Sequence, residues 1–215
     1  MESLYIRLAA PLQSWAGARS TNGYVRTRAY PTVSGLKGLI AASQGWKRGA
    51  WESWLDDTAF TIRIDNPGRR SKDFHTITNH EDEKFFKKRI LTATRTKGSI
   101  LDPGSEGSSA LVAREYLAGA VFIVEISHPT KLAEIERGLR ENGFSIYLGR
   151  KAFAPNFPFI LGRGEAGMLS SLPSMSKDTQ CSLELVESTG ITTVHVPGIR
   201  RRDEWYTALR ETLTL

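Results

Sequence analysis

At 215 residues, 40% of them hydrophobic and 24% charged, the chain is long enough to bury a real core and is too apolar to be disordered. Its formal net charge of +6 points to an acidic counterpart: a polyanion, an anionic membrane face or an acidic protein. One cysteine, Cys181, excludes an internal disulfide and a cysteine cluster for zinc, and no run approaches the length of a membrane span. The start Met1-Glu2-Ser3-Leu4-Tyr5 is unlike a signal peptide, so the expected compartment is cytoplasmic.

Ser3 to Ala9 alternates, with Leu4, Ile6 and Leu8 on one side and Tyr5 and Arg7 on the other, which predicts a half-buried strand. From Ala10 to Tyr30 the pattern stops. This stretch reads as a long loop carrying an isolated Trp15 and Arg19, Arg26 and Arg28 without an acid, and loops of this length tend to be functional. Pro31 then precedes a helix capped by Thr32 or Ser34 and running to about Gln44, with Leu36, Leu39 and Ile40 on one face. Gly35 and Gly38 each cost that helix about 1 kcal/mol relative to alanine. Such glycines admit either a packed neighbour or a phosphate; in the second case Lys37 and the free N–H groups would face the ligand. Trp51, Trp54 and Leu55 suggest a short second helix, Thr58 to Asp65 a second strand, and Asn66-Pro67-Gly68 a turn.

Residues 69–110 are unusual for a core. Six cations, Lys84, Lys87, Lys88, Arg89, Arg95 and Lys97, fall between Lys84 and Gly98 with no carboxylate, and Thr92, Thr94 and Thr96 alternate as in an exposed β-ribbon. A projecting basic arm is expected. Order returns at 111–117, followed by an expected strand at 120–127, a helix from Pro129 to Gly143, and a further strand at 144–148. The resulting order, β-α-β, arm, β-α-β, predicts an α+β, ferredoxin-like domain over residues 1–150, one sheet with both helices on one face. The other face needs a cover, and residues 151–215, read as an accessory β-region with strands at 181–187 and 192–196, supply it.

The chemistry is less decided. Gly162-Arg163-Gly164-Glu165-Ala166-Gly167 lacks the Lys-Ser/Thr pair of a P-loop and fits a dinucleotide fingerprint poorly, so no cofactor is expected; His75 and His80 lack a metal-binding pattern. A histidine working with tyrosine and lysine can cleave RNA without metal, and His75 with Tyr116 and a nearby lysine could assemble such a site, although spacing alone does not bring them together. The basic arm and the 19–28 loop, interleaved with Phe74, Phe85, Phe86 and Tyr116, suit phosphate neutralisation plus base stacking. Solvated charge over core phenylalanines is the other reading of the same residues.

Several of these stretches resemble one family in the same order along nearly the whole chain. They are Leu4 to Trp15, with Leu-Ala-Ala-Pro-Leu-Gln-Ser-Trp; Pro31 to Leu36 with Gly38-Leu39; Asp73-Phe74-His75-Thr76; Arg114-Glu115-Tyr116-Leu117; Tyr147 to Lys151; and Glu204-Trp205-Tyr206. The chain resembles the Cas-five family of the RAMP superfamily, subunits of the type I-E CRISPR complex Cascade. It departs from that pattern at Val33, where a basic residue is frequent, at Ala118-Gly119 and at Ala152-Phe153. The resemblance implies a modified RNA-recognition fold with a β-hairpin thumb at about 81–110, holding the 5′ handle of CRISPR RNA. It further implies contacts with the neighbouring backbone subunit and the large subunit, and with target DNA only indirectly. In type I-E such subunits are non-catalytic, whereas type I-C relatives cut precursor RNA, which keeps a metal-independent endoribonuclease as the alternative. The expected RNA-binding residues are Arg19, Arg26, Arg28, Lys37, Lys84, Lys87, Lys88, Arg89, Arg95, Lys97, Arg114, Tyr116, Arg150 and Lys151.

Overall fold

The computed structural model describes residues 2–15, 24–78 and 109–214. The expected thumb at 81–110 therefore falls almost wholly outside the described residues.

Strand β1 (Glu2–Ala9) lies between β8 (Ile160–Glu165) and β7 (Val121–Ser127), and β7 pairs in turn with β4 (Ala59–Asn66). All three pairings are antiparallel. The sheet continues from β4 through β10 (Gln180–Glu187) and β11 (Gly190–Ile199) to the short β9 (Ser174–Met175), which joins β11 in parallel. A second sheet is built on β6 (Ser109–Ala118). β5 (Arg69–Thr78) pairs with β6 in antiparallel register, and β2 (Leu12–Gln13) and β3 (Tyr24–Val25) pair with it further along.

Helix α1 (Val33–Ser43) starts where the sequence places it, with the Thr32 hydroxyl accepting from Gly35 N. Leu36, Leu39 and Ile40 of α1 and Ile135 and Leu139 of α2 (Leu132–Glu141) pack on Leu4, Ile6, Leu8, Phe122 and Val124. The sheet's other face carries Tyr5 and Ile123. It is covered by Leu169 and Leu172 and by Trp205 and Leu209 of α3 (Arg202–Thr212). The cover thus comes from the last third of the chain. β1 is buried on both faces, rather than half-buried.

Two readings of local structure are corrected. Residues 144–148 form no strand; Gly143 N and Phe144 N donate to Ser43 O and Ala42 O, so this segment closes the end of α1 instead. The strand beside β1 is the glycine stretch, which carried no strand expectation. An added Cβ at Gly162 would stand 2.7 Å from Thr214 O and one at Gly164 2.7 Å from a Leu213 methyl, so the glycines let the C-terminal residues lie against β8. Arg163 and Thr214 exchange backbone hydrogen bonds there. The second correction is α3 itself, which had no place in an accessory β-region. Its signal is Trp205, Leu209 and Leu213 at four-residue spacing, all buried.

Candidate nucleic-acid interface

The β5–β6 ribbon sets the geometry of the site. Directly paired residues share a face, so Ser71, Asp73 and His75 stand with Tyr116, Arg114 and Val112. On that face the Arg150 guanidinium lies 5.3 Å from the Tyr116 ring centroid, and Phe153 meets the same ring edge-on at 5.3 Å. Arg150 is brought there by the turn at Gly149, whose φ is 91° and which packs against the Ser14 carbonyl. Burial, and next the charge of Arg114, lower the proton affinity of Arg150 below the usual arginine value. Arg114 Nε is buried with no hydrogen-bond partner among the described residues, and neither arginine has a carboxylate within ion-pair distance there. A buried unsatisfied donor costs about 1–3 kcal/mol, more when charged. An anionic oxygen reaching between Arg114 and Arg150 would satisfy that donor and screen the two cations from each other.

The ribbon's opposite face is organised by Tyr24 of β3. Its ring is flanked by the Arg26 guanidinium at 5.3 Å and the Lys72 ammonium at 5.7 Å, and its hydroxyl donates to Glu115 Oε1 at 2.5 Å. Arg70 donates to the other oxygen of Glu115 at 3.1 Å and to Thr27 O at 3.0 Å. The Tyr24 hydrogen bond foremost, with Arg70 and Lys72, holds the Glu115 carboxyl below the usual carboxylate range, so it stays ionised and ties β3 to β6. Phe74, between Lys72 and His75 on the ribbon, is 62% exposed.

The expected site residues separate into three groups. Arg114, Tyr116 and Arg150 come together, with exposed Lys151 next to them, and Arg26 and Arg28 are exposed beside β3. Lys37 lies elsewhere, on α1, with its ammonium 2.7 Å from Asp56. The glycine near it is explained by packing: a Cβ on Gly35 would stand 3.1 Å from the Trp15 ring. Arg19, Lys84, Lys87, Lys88, Arg89, Arg95 and Lys97 lie outside the described residues.

Two aromatic readings are corrected. Tyr116 is 5% exposed with its ring engaged by Arg150 and Phe153, so it positions a cation rather than offering a stacking face. Trp15, read as an isolated residue of a long loop, is 2% exposed, packs in the core and donates from its indole to Gln13 Oε1. Tyr24 was missed by the sequence reading, and its signal was a lone aromatic just ahead of Arg26 and Arg28.

His75 and Tyr116 share a face without meeting. His75 pairs with Val112, four residues along β6 from Tyr116, which is about 14 Å at ~3.4 Å per residue. The His75 imidazole is instead 2.6 Å from the Asp73 carboxylate. Among the described residues no three His, Cys, Asp or Glu side chains gather to hold a metal, and no helix is long and apolar enough to cross a membrane.

Among the described residues, two sheets, three α-helices and a cation-bearing ribbon define a mixed α+β protein of RAMP-like architecture. The chain belongs to the Cas5 family: the profile for CRISPR-associated protein (Cas_Cas5) matches residues 3–204. It is similar to the CRISPR system Cascade subunit CasD of Escherichia coli (strain K12), 28% identical over 179 residues, 76% of this chain and 71% of that one. It superposes on a chain of a solved CRISPR RNA-guided surveillance complex with a TM-score of 0.74 at 26% identity, covering 97% of this chain and 98% of the other. A solved Cas protein, 22% identical with a TM-score of 0.55 over 91% of this chain and 95% of its own, shares the fold.

Proposed function

We propose that this chain is the Cas5 subunit of a type I-E Cascade complex and holds the 5′ handle of the CRISPR RNA without cutting it. The observation that carries this reading is the Arg114–Arg150 pair: two guanidiniums close enough to oppose each other's charge, one with a buried donor and no partner among the described residues. A phosphodiester supplies the missing acceptor and the missing charge. The structural likeness to a chain of an RNA-guided complex supports the choice of RNA as the polyanion. We read β8-β1-β7-β4 as a ferredoxin-like core, since the first, second, third and fourth long strands of its β-α-β units then stand in the order fourth, first, third, second. Residues 81–110 are assigned as the thumb. In this proposal the backbone and large subunits are protein neighbours, target DNA is met only through the RNA, and the complex is cytoplasmic.

The endoribonuclease reading has one observation in its favour, the Asp73–His75 pair on the same face as Arg114, which has the form of an oriented general base. The burial of Tyr116 and its distance along β6 from His75 support the non-catalytic reading instead.

Replacing both Arg114 and Arg150 by glutamine is the direct test of the phosphate contact. The slope of log affinity against log salt for single-stranded RNA is expected to flatten by about 0.7, the value for the one phosphate that the two arginines no longer neutralise. An unchanged slope in filter-binding titrations contradicts the assignment of this face to RNA.

A further inference from the structure

A second group of cations and exposed aromatics lies away from the β5–β6 ribbon, at the start of α3. Phe157 is 72% exposed, and its ring centroid is 6.1 Å from that of Tyr206 with the planes tilted by 56°. The Arg210 guanidinium stands 5.9 Å from the Tyr206 centroid. Arg202 donates to the Phe157 carbonyl, and the Arg7 guanidinium lies 5.7 Å from the centroid of Trp205, the residue between Glu204 and Tyr206. Among the described residues Arg7, Arg202 and Arg210 have no carboxylate within ion-pair distance, whereas the neighbouring Arg201 is held by Asp203 and Glu204. Burial, followed by the charge of Arg202, lowers the proton affinity of Arg7, with Asp65 acting the other way. Arg202 and Arg210 thus border the Phe157–Tyr206 pair without an ion-pair partner among the described residues, and Arg7 stands on the adjoining Trp205.

The chain itself links this group to the ribbon. The segment that carries Arg150 and Lys151 beside Tyr116 continues through Phe153, which packs on that ring, and Asn156, whose N–H donates to Ala9 O, to reach Phe157. Phe157 is seven residues from Arg150, so the two groups are at most about 24 Å apart, a span of a few nucleotides.

We propose that Phe157 and Tyr206, with Arg7, Arg202 and Arg210, form a second contact for single-stranded nucleic acid. One base stacks on the exposed Phe157 ring and the adjacent phosphate is held by the arginines. The proposal rests on the RNA-binding reading above and extends the bound strand from Arg150 along 150–157 to the face of the sheet covered by α3. Stacking plus guanidinium contact is tolerant of sequence, because every base has a π-face and every linkage a phosphate. The site therefore takes a nucleotide irrespective of its base.

The test is ultraviolet crosslinking of the full chain to a thiouridine-substituted single-stranded oligouridylate, with the crosslinked peptides mapped by mass spectrometry. Crosslinks are expected at Phe157 or Tyr206. The Phe157→Ala and Arg210→Gln double variant is expected to lose them and to bind about tenfold more weakly, while crosslinks near Arg150 persist. Both substitutions lie at exposed side chains, and urea unfolding of the variant verifies that the fold is kept. Crosslinks confined to the Arg114–Arg150 region, with the double variant binding as tightly as the parent, overturn this second contact and leave the first standing. Absence of crosslinks everywhere overturns both.

Discussion

Replacing Arg63 by methionine is expected to destabilise the protein by about 3–5 kcal/mol, the cost of breaking a buried ion pair from one side. Arg63 on β4 is fully buried, and its guanidinium binds both oxygens of Asp65 at 2.7 and 3.0 Å. It also donates to the carbonyls of Leu169, Leu172 and Pro173. These carbonyls belong to the segment around Met168–Ser170 that covers the second face of the main sheet, so one side chain fastens that cover to β4. Methionine fills much of the volume but leaves the Asp65 carboxylate and the three carbonyls without their donor. Lysine is not expected to rescue the loss, because a single ammonium cannot reproduce the planar fork. Changing Asp65 to leucine together with Arg63 to methionine is expected to recover part of it by removing the orphaned charge. Equilibrium urea unfolding reads the effect as a lower midpoint at unchanged slope. A loss below about 1 kcal/mol would mean that the cover holds without this network.

Gly149→Ala is expected to cost about 2–4 kcal/mol, combining a strained positive φ with overpacking, and to weaken RNA binding as well. Gly149 has a φ of 91°, and an added Cβ would stand 1.7 Å from the Ser14 carbonyl oxygen. That carbonyl cannot easily retreat, because the Ser14 N–H donates to Leu148 O at 3.0 Å. Relief must come from the 148–150 turn, and that moves Arg150 off the Tyr116 ring. Gly119→Ala is the control. Its φ of 69° carries the same kind of strain, but nothing lies within 4 Å of its added Cβ, so a loss of about 1 kcal/mol is expected. Urea unfolding of the two variants side by side separates strain from contact. Equal losses would show that the close approach to Ser14 is not the cause.

Much of the chain was legible because its signals are local. Thr32 before an apolar Leu36-Leu39-Ile40 pattern gives α1, and β4, β7 and α2 follow from equally plain periodicity. What failed to show depends on contacts made far along the chain. The glycines of β8 look like a loop until Leu213 and Thr214 are seen lying against them. Residues 144–148 have a strand's composition, yet their backbone serves the end of α1. At the site, the arginine types were readable but their geometry was not. Arg114 and Arg150 are thirty-six positions apart and meet only because Gly149 turns the chain toward β6. Tyr116 looked like a stacking platform because aromatic residues among cations suggest one; the cation that covers it arrives from another segment.

The most direct test of the central claim is a single-turnover incubation of the purified protein, in EDTA, with precursor CRISPR RNA bearing the 5′ handle. A competitor of equal length with the handle scrambled is included, and bound and cut species are resolved together. The account predicts preferential binding of the handle-bearing RNA, recovered intact. Equal binding of both RNAs would contradict handle recognition. Cleavage at the base of the repeat, lost in His75→Ala, would replace the non-catalytic subunit with an endoribonuclease.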